Sequence, residues 1–105
     1  MECVVHRIRL REAAEHERFE KWVREVDYAA CPRLPSVVSF SVHRVSLAAD
    51  APVHYFEVIQ VTSQAAFAAD AAGDVFRGLE AEFGTMAEVV DELAGERVGA
   101  GYAAG

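Results

Sequence analysis

Two side chains in this sequence are suited to moving protons, His6 and Glu57. His6 lies in the run Cys3-Val4-Val5-His6-Arg7-Ile8-Arg9-Leu10. Strand alternation there puts Val4, His6, Ile8 and Leu10 on one face and Val5, Arg7 and Arg9 on the other. An imidazole in an otherwise apolar row titrates near neutral pH and serves as a general acid or base if it lines a pocket. Otherwise a backbone carbonyl or tyrosine hydroxyl must satisfy it. Glu57 is flanked by Phe56 and Val58, and a carboxylate in that setting needs a partner. In one strand register it faces the pocket beside His6, with Tyr55 travelling on the same side. In the other it pairs with Arg7 or Arg9 across the opposite sheet face. His54 joins the His6 face only if Phe56 and Val58 point inward, and its position beside a loop favours exposure to solvent.

The walls of such a pocket come from aromatic residues spread along the chain: Trp22, Tyr28, Phe40, Phe56, Phe76 and Phe83. Aromatic residues on core faces are nonetheless more often plain packing. Tyr28 and Cys31 close a helix near the expected pocket mouth, where the Tyr28 hydroxyl can orient a polar substrate. The Cys31 thiol has no neighbouring base in sequence and reads as an inert buried group. His6, His16, His43 and His54 lack the spacing that puts two metal ligands on one face. No glycine-rich phosphate loop, dinucleotide fingerprint or nucleophile elbow occurs, so chemistry without metal or cofactor is expected.

The elements that must position these groups follow from periodicity. Phe19, Trp22, Val23 and Val26 recur at helical spacing, predicting an amphipathic helix over residues 14–30 that stops before Pro32. Residues 36–46 alternate, with Val38, Phe40 and Val42 on one side and Ser39, Ser41 and His43 on the other. Residues 53–61 read as a third strand from their β-branched and aromatic content. Ser63 caps a helix over 64–72, Gly73-Asp74 interrupts it, and helical spacing resumes through Phe83 and again at Met86, Val89, Val90 and Leu93. Gly95 ends that helical region, leaving residues 96–102 as a glycine-rich last strand. The order β-α-β-β-α-β is the ferredoxin-like α+β arrangement, a four-stranded antiparallel sheet with helices on one face.

A chain of 105 residues with 52% hydrophobic content supports one core, hence a single domain over 1–105. The bare sheet face would expose Val5, Val37 and Val45 beside Arg7, Arg9, Ser39 and His43, so a homodimer packed sheet to sheet, a dimeric α/β barrel, is expected. A formal charge of -7 argues against a nucleic-acid partner. No apolar run approaches the roughly 20 residues that span a bilayer. Together with two cysteines in no paired spacing and no signal-like start, this predicts a cytoplasmic protein, and the aromatic walls of the expected pocket suit a small aromatic molecule.

Several segments also carry a family resemblance. They are the run Val5-His6-Arg7-Ile8-Arg9-Leu10, the stretch from Asp27-Tyr28 through Cys31 to Leu34-Pro35-Ser36-Val37, His54-Tyr55-Phe56-Glu57-Val58-Ile59, and Thr85-Met86-Ala87 with Gly95-Glu96-Arg97 and Gly101-Tyr102. In order, and over nearly the whole chain, they resemble the RedY/HapK family. The resemblance implies a dimeric α/β barrel from bacterial secondary metabolism, encoded with prodiginine and bisindole pathways. It further implies a cofactor-free cyclase acting on a bipyrrole intermediate or on an indole-3-pyruvate imine dimer, leading towards an indolocarbazole. His6 would then move the proton, with Glu57 as partner or second base, Tyr28 and Tyr55 as orienting groups, and Trp22, Phe40, His54 and Phe83 around the substrate. Two other functions fit the same pocket: a shelter protein that binds an unstable pyrrole or indole intermediate without transforming it, and a cofactor-free monooxygenase, which the fold also accommodates.

Overall fold

The computed structural model describes residues 1–105. The apolar alternation of the first segment produces β1 (Glu2–Leu10) in the interior of the sheet, between β3 (Tyr55–Val61) and β4 (Ala87–Glu96), with β2 (Val37–Arg44) beyond β3. All three pairings are antiparallel. Helices α1 (His16–Trp22), α2 (Tyr28–Ala30), α3 (Gln64–Ala71) and α4 (Asp74–Met86) complete the ferredoxin-like order. No helix is long and apolar enough to cross a membrane.

The core forms where the inward row of β1 meets the helices. Ile8, Leu10 and Tyr55 pack with Phe19, Trp22, Val23, Met86 and Ala87, while Val4, Ile59 and Val61 form a second cluster beneath Val37, Phe40 and Phe67. Burying side chains of this size stabilises by about 1.5–3 kcal/mol each, so these rows fix the strand registers. The Ser63 hydroxyl accepts from the Ala66 N–H and caps α3 as expected, and the chain breaks at Ala72-Gly73 before α4.

Three elements differ from the sequence expectation. The first helical region is not one regular rod: a 3-10 turn (Ala13–Glu15) leads into α1, a π-helical turn (Val23–Asp27) separates α1 from α2, and a second 3-10 turn spans Cys31–Arg33. The last strand is β4 at Ala87–Glu96, so Val89, Val90 and Leu93 are strand residues, and 97–105 carry no regular structure. The cause is a bulge: Arg7 opposes Asp91 but Ile8 opposes Val89, which leaves Val90 as the extra residue and breaks the alternation that would mark a strand. A second bulge in β2 pairs Val37 with Val61 and Ser39 with Gln60, so Val37 packs against the core while Val38 is exposed.

Candidate functional site

Directly opposed residues on neighbouring strands bring Glu57, His6 and Glu92 into one row across β3, β1 and β4. Such neighbours have Cβ atoms about 4.5–5.5 Å apart, within reach of direct bonding. The His6 Nδ1 lies 2.6 Å from Glu57 Oε1 and its Nε2 lies 2.8 Å from Glu92 Oε2. The His6 and Glu57 side chains are 13% and 14% exposed, whereas Glu92, on the edge strand, is 59% exposed. Burial alone would lower the His6 pKa, but the two carboxylates outweigh it through hydrogen bonds and charge, and the imidazole titrates above its ordinary value. With an acceptor at each nitrogen, the cationic form donates in both directions. In that form His6 is a proton donor, and the two carboxylates favour it.

This row forms the floor of a cavity of about 460 Å³ between sheet and helices. Trp22, Phe40, Phe76 and Phe83 line it with aliphatic side chains from the same layers. A volume of this size suits a small organic molecule, and apolar walls around a few convergent polar groups are the usual composition of such sites. Both nitrogens of His6 face carboxylates, and no three His, Cys, Asp or Glu side chains converge closely enough to hold a metal ion.

Asp27 stands among the helical residues lining the cavity. Its carboxyl is pushed up to about 7, first by burial and then by the charge of Glu57. The π-turn explains its position. In a regular α-helix Asp27 would point about 140° away from Trp22; the wider turn lets residue i+5 take the place of i+4. Trp22 and Asp27 consequently share the cavity face, and Val26, expected on the apolar stripe, is exposed. Cys31 also lines the cavity, and burial followed by the nearby Asp27 charge pushes its thiol up, keeping it protonated and weakly nucleophilic.

Of the residues singled out from sequence, His6, Glu57, Trp22, Phe40, Phe76 and Phe83 meet at the cavity. Glu57 faces the helices, while Arg7 on the other sheet face pairs with Asp91 at 3.0 Å. The register places Tyr55, Glu57 and Ile59 inward, so Phe56 lies on the opposite face, stacked on His43 with centroids 4.8 Å apart.

Three side chains expected around the substrate lie outside this cavity. His54 is buried at 1% exposure rather than solvent-exposed: its Nδ1 accepts from the Leu10 N–H at 3.0 Å and its Nε2 lies 2.9 Å from the Ala48 carbonyl. It ties the loop before β3 to the end of β1. The Tyr55 hydroxyl donates to Glu20 at 2.6 Å, and Glu20 in turn accepts from the Arg44 Nε at 2.8 Å. Burial and the Glu20 bond raise the Tyr55 pKa, and the Arg44 guanidinium lowers that of Glu20. The Tyr28 hydroxyl accepts from the Val42 N–H at 3.0 Å, pinning α2 to the sheet.

Sequence reasoning missed Glu92 and Asp27. Glu92 was masked by the helical reading of its segment. Asp27 was masked by the π-turn: regular helical spacing sets it about 140° from Trp22, at the flank of the apolar stripe, and nothing in the sequence marks the wider turn.

The description "REDY-like protein HapK" matches residues 2–98 of this chain. The crystal structure of HapK from Hahella chejuensis superposes with a TM-score of 0.99 at 59% identity, covering 100% of both chains. SnoaB, a cofactor-independent oxygenase from Streptomyces nogalater, superposes with a TM-score of 0.69 at 17% identity over 92% of each chain. A dimeric ferredoxin-like protein of unknown function from Thermobifida fusca gives a TM-score of 0.60 at 14% identity, over 89% of this chain and 85% of its own. The last two likenesses establish the fold alone. No functionally curated protein matches the chain.

Proposed function

The chain belongs to the REDY-like HapK family, and from that premise we propose that it is a cofactor-free cyclase of bacterial secondary metabolism. Its substrate is a reactive bisindole, an indole-3-pyruvate imine dimer, or a bipyrrole of similar shape. The observation that carries this reading is the Glu57–His6–Glu92 row on the floor of an aromatic cavity. A conjugated, labile molecule gains most of its acceleration from being held in one conformer with its reacting carbons close together. One positioned proton donor adds about 10²–10⁴-fold. His6 supplies that proton, Glu57 holds the imidazole cationic, and Trp22, Phe40 and Phe83 fix the ring planes.

The protein acts as a homodimer in the cytoplasm, where its two unpaired cysteines stay reduced. The dimer forms through the sheet face opposite the helices, which carries Leu93 at 60% exposure with Val5 beside it. Apolar surface in that position calls for cover.

The test is incubation of the purified protein with an enzymatically generated indole-3-pyruvate imine dimer, comparing product masses with a protein-free blank. A cyclised product formed over many turnovers, and lost in His6→Gln, is the expected result. A longer-lived intermediate with an unchanged product distribution would make the protein a shelter, and stoichiometric oxygen uptake would make it a monooxygenase.

A further inference from the structure

The proposed cyclisation leaves one cavity group without a task. No hydrogen bond or ion pair engages the Asp27 carboxyl, and the only influences on it are burial and the Glu57 charge. The π-turn spends irregular helix geometry to turn it inward, and such turns occur frequently at functional sites. The same cavity that Asp27 lines also holds an imidazole whose two nitrogens face two other carboxylates.

We propose that Asp27 is a general base facing the His6 acid, and that together they tautomerise a bound aromatic ketone or imine by taking a proton from the carbon next to its C=O or C=N. The step balances without any oxidant. Asp27 takes the C–H proton, the freed electron pair forms the C=C bond, and the π pair of the C=O or C=N moves to oxygen or nitrogen. That atom accepts the Nε2 proton of His6. Glu92, on the exposed edge of the sheet, is the carboxylate that must swing aside to release Nε2, whereas Glu57 keeps its grip on Nδ1. The product is an enol or enamine, the nucleophilic form that a ring closure between two aromatic units needs. This inference rests on the cyclase reading of the cavity and names the step that would precede ring closure.

The substrate class follows from the same lining. The titratable groups facing Asp27 are His6, Glu57 and Glu92 from the sheet, Glu80 from α4 and Cys31 from its own helical segment; no lysine or arginine is among the lining residues. The one cation inside, His6, is already matched by Glu57 and Glu92, so a substrate carboxylate has no free cation to meet; the reacting end is neutral or cationic and any acid group points to the mouth.

Phenylacetone in deuterated buffer tests the proposal. Loss of its methylene signal in proton NMR reports exchange, and quenching of Trp22, the single tryptophan, reports binding. The wild-type protein should accelerate exchange over blank with a bell-shaped pH profile, rising as Asp27 ionises and falling as His6 loses its proton. Asp27→Asn should bind phenylacetone equally, melt normally and exchange at least roughly a hundredfold more slowly, without the rising limb. Asp27→Glu should restore part of the rate. Failure of the wild type to accelerate exchange, or an Asp27→Asn protein that keeps both rate and rising limb, would overturn the proposal. Exchange failing while cyclised product still forms removes this inference alone; exchange that depends on Asp27 without any cyclised product supports it and removes the cyclase reading.

Discussion

Glu57→Gln separates the charge of the Glu57–His6 pair from its shape. The amide oxygen can still accept from Nδ1, so the 2.6 Å contact survives as a neutral-acceptor bond while the negative charge is lost. A hydrogen bond to a charged group contributes about 1.5–3 kcal/mol; the amide keeps the share owed to the imidazolium donor and gives up the share owed to the carboxylate charge, about 1–2 kcal/mol while His6 is protonated. For a domain of this size that corresponds to a melting temperature lower by about 5–15 °C. The pH dependence has a definite sign. The His6 pKa is raised in the folded state, so its contribution is complete below the unfolded value of 6.5 and disappears as pH rises through the folded value. Asp27 also makes stability fall as pH rises, but here the Glu57 charge is unfavourable. Its carboxyl titrates at about 7 rather than 3.8, so ionising it costs stability as pH rises, and part of that cost comes from Glu57. The variant should therefore be least stable relative to wild type at pH 5.5, and the gap should close or reverse by pH 9. Thermal melts at the two pH values, with the His6 midpoint followed by NMR, measure both quantities. A melting difference that is the same at both pH values, or a His6 midpoint that does not fall in the variant, would refute the electrostatic account of this row.

Two other substitutions test the remaining assignments. His54→Ala orphans the Leu10 N–H and the Ala48 carbonyl in a buried position; at about 1–3 kcal/mol for the stranded donor alone, it should lower the melting temperature by about 5 °C or more while the folded fraction keeps full turnover and Trp22 quenching. Leu93→Asp places a carboxylate on the exposed sheet face, opposite to the face that carries His6; light scattering should show the wild type at twice the chain mass and the variant at the chain mass, with its secondary structure intact by circular dichroism.

The parts of the fold legible in the sequence are those where one periodicity runs uninterrupted. The β1 row Val4, His6, Ile8 and Leu10 faces the helices as its alternation requires, and Ser63 caps α3 with the bond its side chain offers. Where a bulge or a π-turn inserts one residue, the pattern changes phase and a reading by period alone assigns the wrong face or the wrong element. Val38 and Val26 are expected inward and are exposed; Val37 and Asp27 take their places. In β4 the inserted Val90 makes Val89, Val90 and Leu93 mimic a helical stripe, and with the strand went Glu92.

These phase shifts concentrate around the cavity, and that bears on why the sequence carries them. Uninterrupted alternation in β4 and a regular helix after Trp22 would satisfy local preference at no cost in pairing or helix geometry. The π-turn instead gives up helical regularity to move an apolar Val26 into solvent and an acid, Asp27, into an apolar cavity, both unfavourable for stability alone. The β4 bulge keeps Val89 inward opposite Ile8 while also bringing Glu92 inward opposite His6, two placements that strict alternation over an interval of three residues would set on opposite faces. Local costs that converge on one cavity and equip it with a cationic imidazole and an unpaired carboxyl match the signature of a site retained for chemistry rather than packing. A histidine kept only for structure would resemble His54, satisfied by backbone groups alone and sealed from the cavity. His6 instead draws its partners from side chains on two neighbouring strands and presents them to the same space as Asp27.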